Sequence, residues 1–210
     1  MLNADVLTFQ EFAMHEPLPL SKIQGAVLEF LQGRDDAVLF GAQAVNAYVS
    51  EPRATQDVDI ISTRAIEFAE ELREHLSETY HIAIRVREVG GRGLRLYQVR
   101  KEGNRHLVDV RIENTLPATE EIEKIRVLTP VELIVSKVIS YQSRRGKPKS
   151  GTDWRDLAML LVRFPELKVA DGDVGKILLE RNVDENAVKF WNDLVQQDFS
   201  LDDEDDDLSF

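Results

Sequence analysis

Cysteine is absent from the 210 residues, which excludes disulfide staples, thiol nucleophiles and every zinc or iron–sulfur site built on thiolate. No apolar run approaches the ~20 residues of a membrane span, and the N-terminus lacks a basic segment followed by an apolar one. The expectation is a cytoplasmic protein with no membrane partner. Histidine is scarce: His15, His75, His81 and His106 are scattered without ligand spacing and read as surface or core residues. Basic residues are outnumbered, giving a net charge of −12. The deficit is uneven, because seven acids and no base lie in residues 198–210, leaving only −5 on the rest. The consecutive acids Asp202 to Asp207 repel one another and bury nothing, so this stretch reads as a disordered tail. Within the body, Arg85 to Arg111 holds eight basic against three acidic residues, and Lys137 to Arg155 six against one. Such local positive surfaces suit a triphosphate or an RNA backbone, although a solvated strand face gives the same count.

The most informative stretch runs from Ala37 to Ser62. Ala37 to Phe40 is a short apolar run ended by Gly41, the pattern of a buried strand turning into a helix over Gln43 to Val49. A helix starting there aims free N–H groups past the strand tip, where phosphate is a natural guest. Asp57 and Asp59 alternate with Val58 and Ile60, so a strand of period two sends both carboxylates from one face. Two hard oxygen ligands on a rigid face suit Mg²⁺. A solvated strand edge is the competing reading, weakened by the cost of two like charges among apolar neighbours unless a cation or Arg53 offsets them. A third carboxylate comes from Asp109 in the alternating segment His106 to Ile112.

With Gly41, the Asp57/Asp59 pair and the later Asp109 in this order, the chain resembles the DNA polymerase beta-type nucleotidyltransferase superfamily. That pattern is Gly-Gly or Gly-Ser, a spacer, Asp-x-Asp/Glu and a lone Asp in a later strand. Within it the chain is most similar to bacterial AbiEii-type toxins, which carry an R-x-T-x-D-x-D string, here Arg53, Thr55, Asp57 and Asp59. The resemblance spans roughly residues 37 to 163. It implies that Gly41 and Ala42 form the phosphate-side turn and that Asp57, Asp59 and Asp109 hold Mg²⁺ or Mn²⁺, with Asp109 a candidate base. Arg53 and Thr55 join the nucleotide-binding set. Ala42 stands where Gly or Ser is usual, which removes a hydroxyl contact. In the family a helix with an inward lysine precedes a D-x-x-D-like helix start, matched by Lys137 with Asp153 and Asp156. This implies that Lys137 meets nucleotide phosphates while the two aspartates orient it or nearby arginines.

Read from the residues alone, Lys137 in the stripe of Leu133, Ile134, Val138 and Tyr141 either snorkels out of a core or reaches a site. Asp153 and Asp156 equally suit helix capping and dipole compensation. Around these motifs the pattern places a helix from Ser21, as N-cap, to Gln32. A helix from Arg64 to Ser77 follows, with Ile66, Ala69, Leu72, Arg73 and Leu76 at helical intervals. Ile82 to Glu88 and Leu94 to Arg100 form a hairpin through Gly90-Gly91-Arg92-Gly93, and Ile125 to Leu128 a last short strand. Thr129 and Glu132 offer a capping box for the helix carrying Lys137. Arg144 to Gly151 reads as a basic loop, with Thr152 or Asp153 capping the next helix, and helices follow over Asp173–Glu180 and Asp184–Val195. Trp154 and Trp191 read as packing residues.

The expected architecture is α+β (α/β): a mixed sheet of the nucleotidyltransferase fold flanked by helices, with a C-terminal helical subdomain. The expected divisions are 1–128, 129–197 and a tail over 198–210. The resemblance implies metal-dependent transfer of a nucleotidyl group from an NTP to a hydroxyl on RNA or tRNA, a protein or a small molecule, as the toxin half of a toxin–antitoxin pair. The competing readings are a nucleotide- or RNA-binding module without turnover, and a phosphotransferase using the same residues.

Overall fold

The computed structural model describes residues 18–199. Most of the expected acidic tail lies outside them. The chain divides into two compact units at the Thr129–Pro130 bond.

The first unit is built on a seven-stranded mixed sheet. Its elements run α1 (Leu20–Leu31), β1 (Ala37–Phe40), α2 (Gly41–Asn46), β2 (Val58–Ser62), α3 (Ala65–Tyr80), β3 (Ile84–Val89), β4 (Gly93–Gln98), β5 (Arg105–Ile112), β6 (Thr119–Ile122) and β7 (Ile125–Leu128), in the sheet order β3-β4-β5-β2-β1-β7-β6. β1 is an interior strand, buried along its whole length, as a continuous apolar run requires. It pairs antiparallel with β2 and parallel with β7, while β2 pairs parallel with β5. The long connection that parallel pairing needs is made by α3 and the β3–β4 hairpin.

α1 buries Ile23, Val27 and Leu31, one residue per turn on one stripe. Its start differs from expectation. The helix begins at Leu20, directly after Pro19, and Ser21 is a buried residue of the first turn rather than the cap. In α3 the buried stripe is Phe68, Ala69, Leu72 and Leu76, which turns Ile66 (63% exposed) and Arg73 away from the core. Arg34 stacks over Phe30 and Phe68 and pairs with Asp36 and Glu71, joining α1, α3 and the entry to β1.

Gly90 and Gly91, both at positive φ, turn the β3–β4 hairpin. A second hairpin, β6–β7, was not anticipated. Its turn is Glu123-Lys124, both in the left-handed region, a conformation that asparagine or glycine ordinarily signals. The backbone N–H of Gly33 donates to Lys124 O at 2.8 Å, which holds this turn.

The second unit contains α4 (Pro130–Ser143), α5 (Lys149–Arg163), a 3₁₀ turn (Pro165–Leu167), α6 (Asp173–Glu180) and α7 (Glu185–Leu194). Leu133, Ile134, Val138, Leu157, Leu160, Val174, Leu178, Trp191 and Leu194 are its core. Trp191 is fully buried and donates to Ala170 O. Trp154 packs among Tyr141, Phe190 and Phe199. The expected basic loop is shorter than its composition suggests. α5 starts at Lys149, immediately after Pro148, and runs through Ser150 and Gly151. Neither Thr152 nor Asp153 therefore caps it. Asp184 does cap α7, accepting from Asn186 N–H at 2.7 Å.

Candidate active site

The turn from β1 into α2 brings Gly41 against the tip of β2. Gly41 has φ +71°, a conformation that costs an L side chain free energy. Space imposes the same choice: a Cβ there would lie 2.7 Å from Asp59 Cγ and 2.8 Å from its Cβ. Phe40 is the cross-strand partner of Asp59. Val58 and Ile60 are fully buried while Asp59 remains partly exposed, which is the alternation anticipated for this strand. Asp57 precedes β2 by one residue.

Asp109 reaches the same place through register. In the parallel β2–β5 ladder Asp59 lies directly beside Asp109, and Val108 and Val110, fully buried, fix which face Asp109 occupies. On the other side of β5, Arg95 of β4 is the partner of Asp109. Its Nε donates to Oδ1 at 2.5 Å and its Nη2 to Oδ2 at 2.8 Å. Because the strand order is β4-β5-β2, this arginine approaches from the side away from Asp59. Burial alone would raise the Asp109 pKa. The hydrogen bonds and charges of His106 and Arg95 outweigh it and draw the carboxyl down to about 2. The carboxyl is therefore ionised near neutral pH.

His106 corrects the reading of the histidines as surface or core residues. A register shift at Leu96/Tyr97 sets Tyr97 opposite His106, their ring centroids 5.6 Å apart. The imidazole lies between two carboxylates, with Nδ1 3.2 Å from Asp57 Oδ2 and Nε2 3.1 Å from Asp109 Oδ1. One ligand atom from each of Asp57, His106 and Asp109 falls within 4.8 Å of the other two. Two carboxylates and an imidazole converging in this way fit a divalent cation. Asp59 stands next to this trio, with its carboxylate at Gly41. Its spacing in sequence reveals Asp109 readily. His106 carries no such signal, because its placement depends on a bulge between two strands.

The loop that delivers Asp57 is held by side chains from two helices. Asn46 donates from Nδ2 to Arg53 O at 2.8 Å and accepts from Arg53 N–H at 3.1 Å. Thr55 Oγ1 accepts from Gln43 Nε2 at 2.8 Å and from Gln24 Nε2 at 3.2 Å. Thr55 thus acts within the loop. The guanidinium of Arg53 reaches Ala54 O at 3.4 Å. Ala42 follows Gly41 in the first turn of α2.

Lys137, Asp153 and Asp156 gather within the second unit. Lys137 Nζ lies 2.6 Å from Asp156 Oδ2 and 3.5 Å from Asp153 Oδ1, with side chains 8%, 1% and 4% exposed for the lysine, Asp156 and Asp153. Arg144 adds a second cation to Asp153 at 2.9 Å. The two aspartates stand one turn apart inside α5, so their partners are these cations and not the helix end. The lysine does not snorkel out.

The fold has relatives among solved structures. The Megavirus polyadenylate synthase superposes with a TM-score of 0.60 at 13% identity over 74% of this chain, and this chain spans only 34% of that protein. JHP933 from Helicobacter pylori superposes with a TM-score of 0.53 at 14% identity, covering 91% of this chain and 92% of its own. No curated protein sequence matches the chain. The sequence profile of the nucleotidyl transferase AbiEii toxin family of type IV toxin–antitoxin systems matches residues 26–207. With the mixed sheet, the acidic pair at the start of β2 and the third aspartate beside it on β5, the chain belongs to that family, and it is a nucleotidyltransferase.

Proposed function

We propose that the protein transfers a nucleotidyl group from an NTP to a hydroxyl on an RNA such as tRNA, aided by Mg²⁺ or Mn²⁺, as the toxin partner of an antitoxin. The observation carrying this reading is the convergence of Asp57, His106 and Asp109 beside Asp59 and the bare turn at Gly41. Asp57, His106 and Asp109 would hold the divalent ion, which would offset charge on the triphosphate and the attacking oxygen. Gly41 and Ala42 admit the phosphates close to the backbone, and Arg53 adds positive charge toward them. The acceptor oxygen forms a bond to the α-phosphorus while the bond to the bridging oxygen breaks and pyrophosphate leaves. Its proton goes to solvent. The reading of the acceptor as RNA is supported by the basic sheet face, where Arg85, Arg87 and Arg111 are exposed on β3 and β5. No described helix is long and apolar enough to cross a membrane, and NTPs and tRNA are abundant in the cytoplasm.

Incubation with α-labelled and γ-labelled NTPs, Mg²⁺ or Mn²⁺ and total cellular RNA tests this. Label from the α position on RNA supports it, and its loss in both Asp57→Asn and Asp109→Asn ties transfer to the acidic site. Label from the γ position alone replaces it with phosphotransfer. A second reading, binding without turnover, is favoured by the hold of Arg95 on both oxygens of Asp109. Nucleotide retention with no label transferred would establish that reading.

A further inference from the structure

We propose that His106 is a metal ligand through its imidazole nitrogen, and that this makes the site select a nitrogen-accepting first-row ion, for which Mn²⁺ is the probe, over Mg²⁺. The inference rests on the reading of the site as a cation site, and it assigns a role that the three aspartates do not cover. Arg95 engages both oxygens of Asp109. Asp109 Oδ1 is in addition 3.1 Å from His106 Nε2. An anchored carboxylate on one ring nitrogen is the arrangement that fixes the tautomer of a ligating histidine and turns the other nitrogen toward the metal. The other nitrogen, Nδ1, faces Asp57 Oδ2 at 3.2 Å. One cation shared between Nδ1 and this oxygen satisfies both.

The donor set then sets the preference. Mg²⁺ takes oxygen ligands and sheds water reluctantly. Imidazole adds affinity for transition ions that Mg²⁺ does not share. A site of carboxylates alone would treat Mn²⁺ and Mg²⁺ more nearly alike. Tyr97, with its ring against His106, and the strand register that positions both hold the imidazole in place.

The full-length protein without nucleotide is titrated with Mn²⁺ alone, free Mn²⁺ being read by electron paramagnetic resonance, and Mg²⁺ is then added in competition. The expectation is a preference for Mn²⁺ of about tenfold or more, and nitrogen modulation in the electron spin echo of the bound ion. Both should vanish in His106→Ala and in His106→Gln, whose circular dichroism should match the parent. Mn²⁺ bound without nitrogen coupling, an unchanged preference in either folded variant, or no Mn²⁺ uptake would each overturn the proposal. Should both variants fail to fold, the nitrogen signal of the parent decides alone. Failure of nucleotidyl transfer with the nitrogen coupling intact would sink the proposed reaction and leave this assignment standing.

Discussion

The α-carbon of Gly41 rests against the carboxylate of Asp59, so close that a methyl group at position 41 would overlap it. The glycine turn and the acidic strand are therefore one device. The backbone at positive φ brings the chain into the space that Asp59 borders, and a glycine is needed on both conformational and steric grounds. Gly41→Ala should cost on the order of 1–3 kcal/mol of stability from the left-handed conformation and the displaced side chain. Transfer should fall by at least about tenfold, since a misplaced group at the reacting centre is expensive. Urea denaturation and initial-rate assays on the same preparation check both effects. A variant as active as its parent would show that the turn does not approach the substrate.

Asp109 gives a pH dependence with a definite sign. Its folded pKa, about 2, lies below the ordinary value of about 3.9 for aspartate. A depressed carboxyl contributes stability that is fully present above the unfolded value and is lost as pH falls from about 4 toward 2. Asp109→Asn should therefore cost on the order of 1–2 kcal/mol at pH 7, and that penalty should shrink as pH approaches 2.5. Urea midpoints of parent and variant across this range measure it. A penalty that stayed constant down to pH 2.5 would mean that Arg95 and His106 do not stabilise the ionised form.

Asn46 and Gln43 hold the loop that carries Arg53, Thr55 and Asp57. Removing either should cost about 1 kcal/mol for a lost hydrogen bond, with a larger proportional loss in metal affinity because Asp57 would no longer be fixed. Asn46→Ala and Gln43→Ala, compared by thermal melting and by Mn²⁺ titration, separate the two effects. If affinity falls only as much as stability, the loop is rigid without them.

The parts of this site visible in the sequence are those set by local periodicity. Val58 and Ile60 flank Asp59, Val108 and Val110 flank Asp109, and strict alternation assigns both acids to a face. Gly41 is visible because an apolar run ends on it. His106, Arg95 and the β6–β7 hairpin are invisible for a common reason: each depends on which strand residues stand opposite one another. Arg95 meets Asp109 only through the β4–β5 register, and His106 meets both aspartates only because that register slips at Leu96/Tyr97. The turn at Glu123-Lys124 adopts a glycine-like conformation without glycine. Ser21 and Asp153 misled for a different reason. Each has the chemistry of a cap, but the prolines at 19 and 148 start the helices earlier and leave both side chains inside.

The buried pair of Lys137 and Asp156 allows structure and catalysis to be separated. With Nζ and Oδ2 2.6 Å apart and both side chains almost wholly enclosed, removing either charge alone takes the nearest counter-charge from the other. Asp156→Ala should cost about 3–5 kcal/mol, and the double variant Lys137→Met with Asp156→Ala should recover most of that loss, because an apolar replacement carries no unpaired charge. Stability and transfer then answer different questions in the same protein. If Lys137 serves only to bind α4 to α5, restoring stability in the double variant restores transfer. If the lysine neutralises phosphate charge, as the family resemblance implies, the double variant melts near the parent temperature yet remains at least about a hundredfold slower, the scale of losing a charged donor to a transferring phosphoryl group. Differential scanning calorimetry and α-label transfer on the four members of the cycle decide between these outcomes.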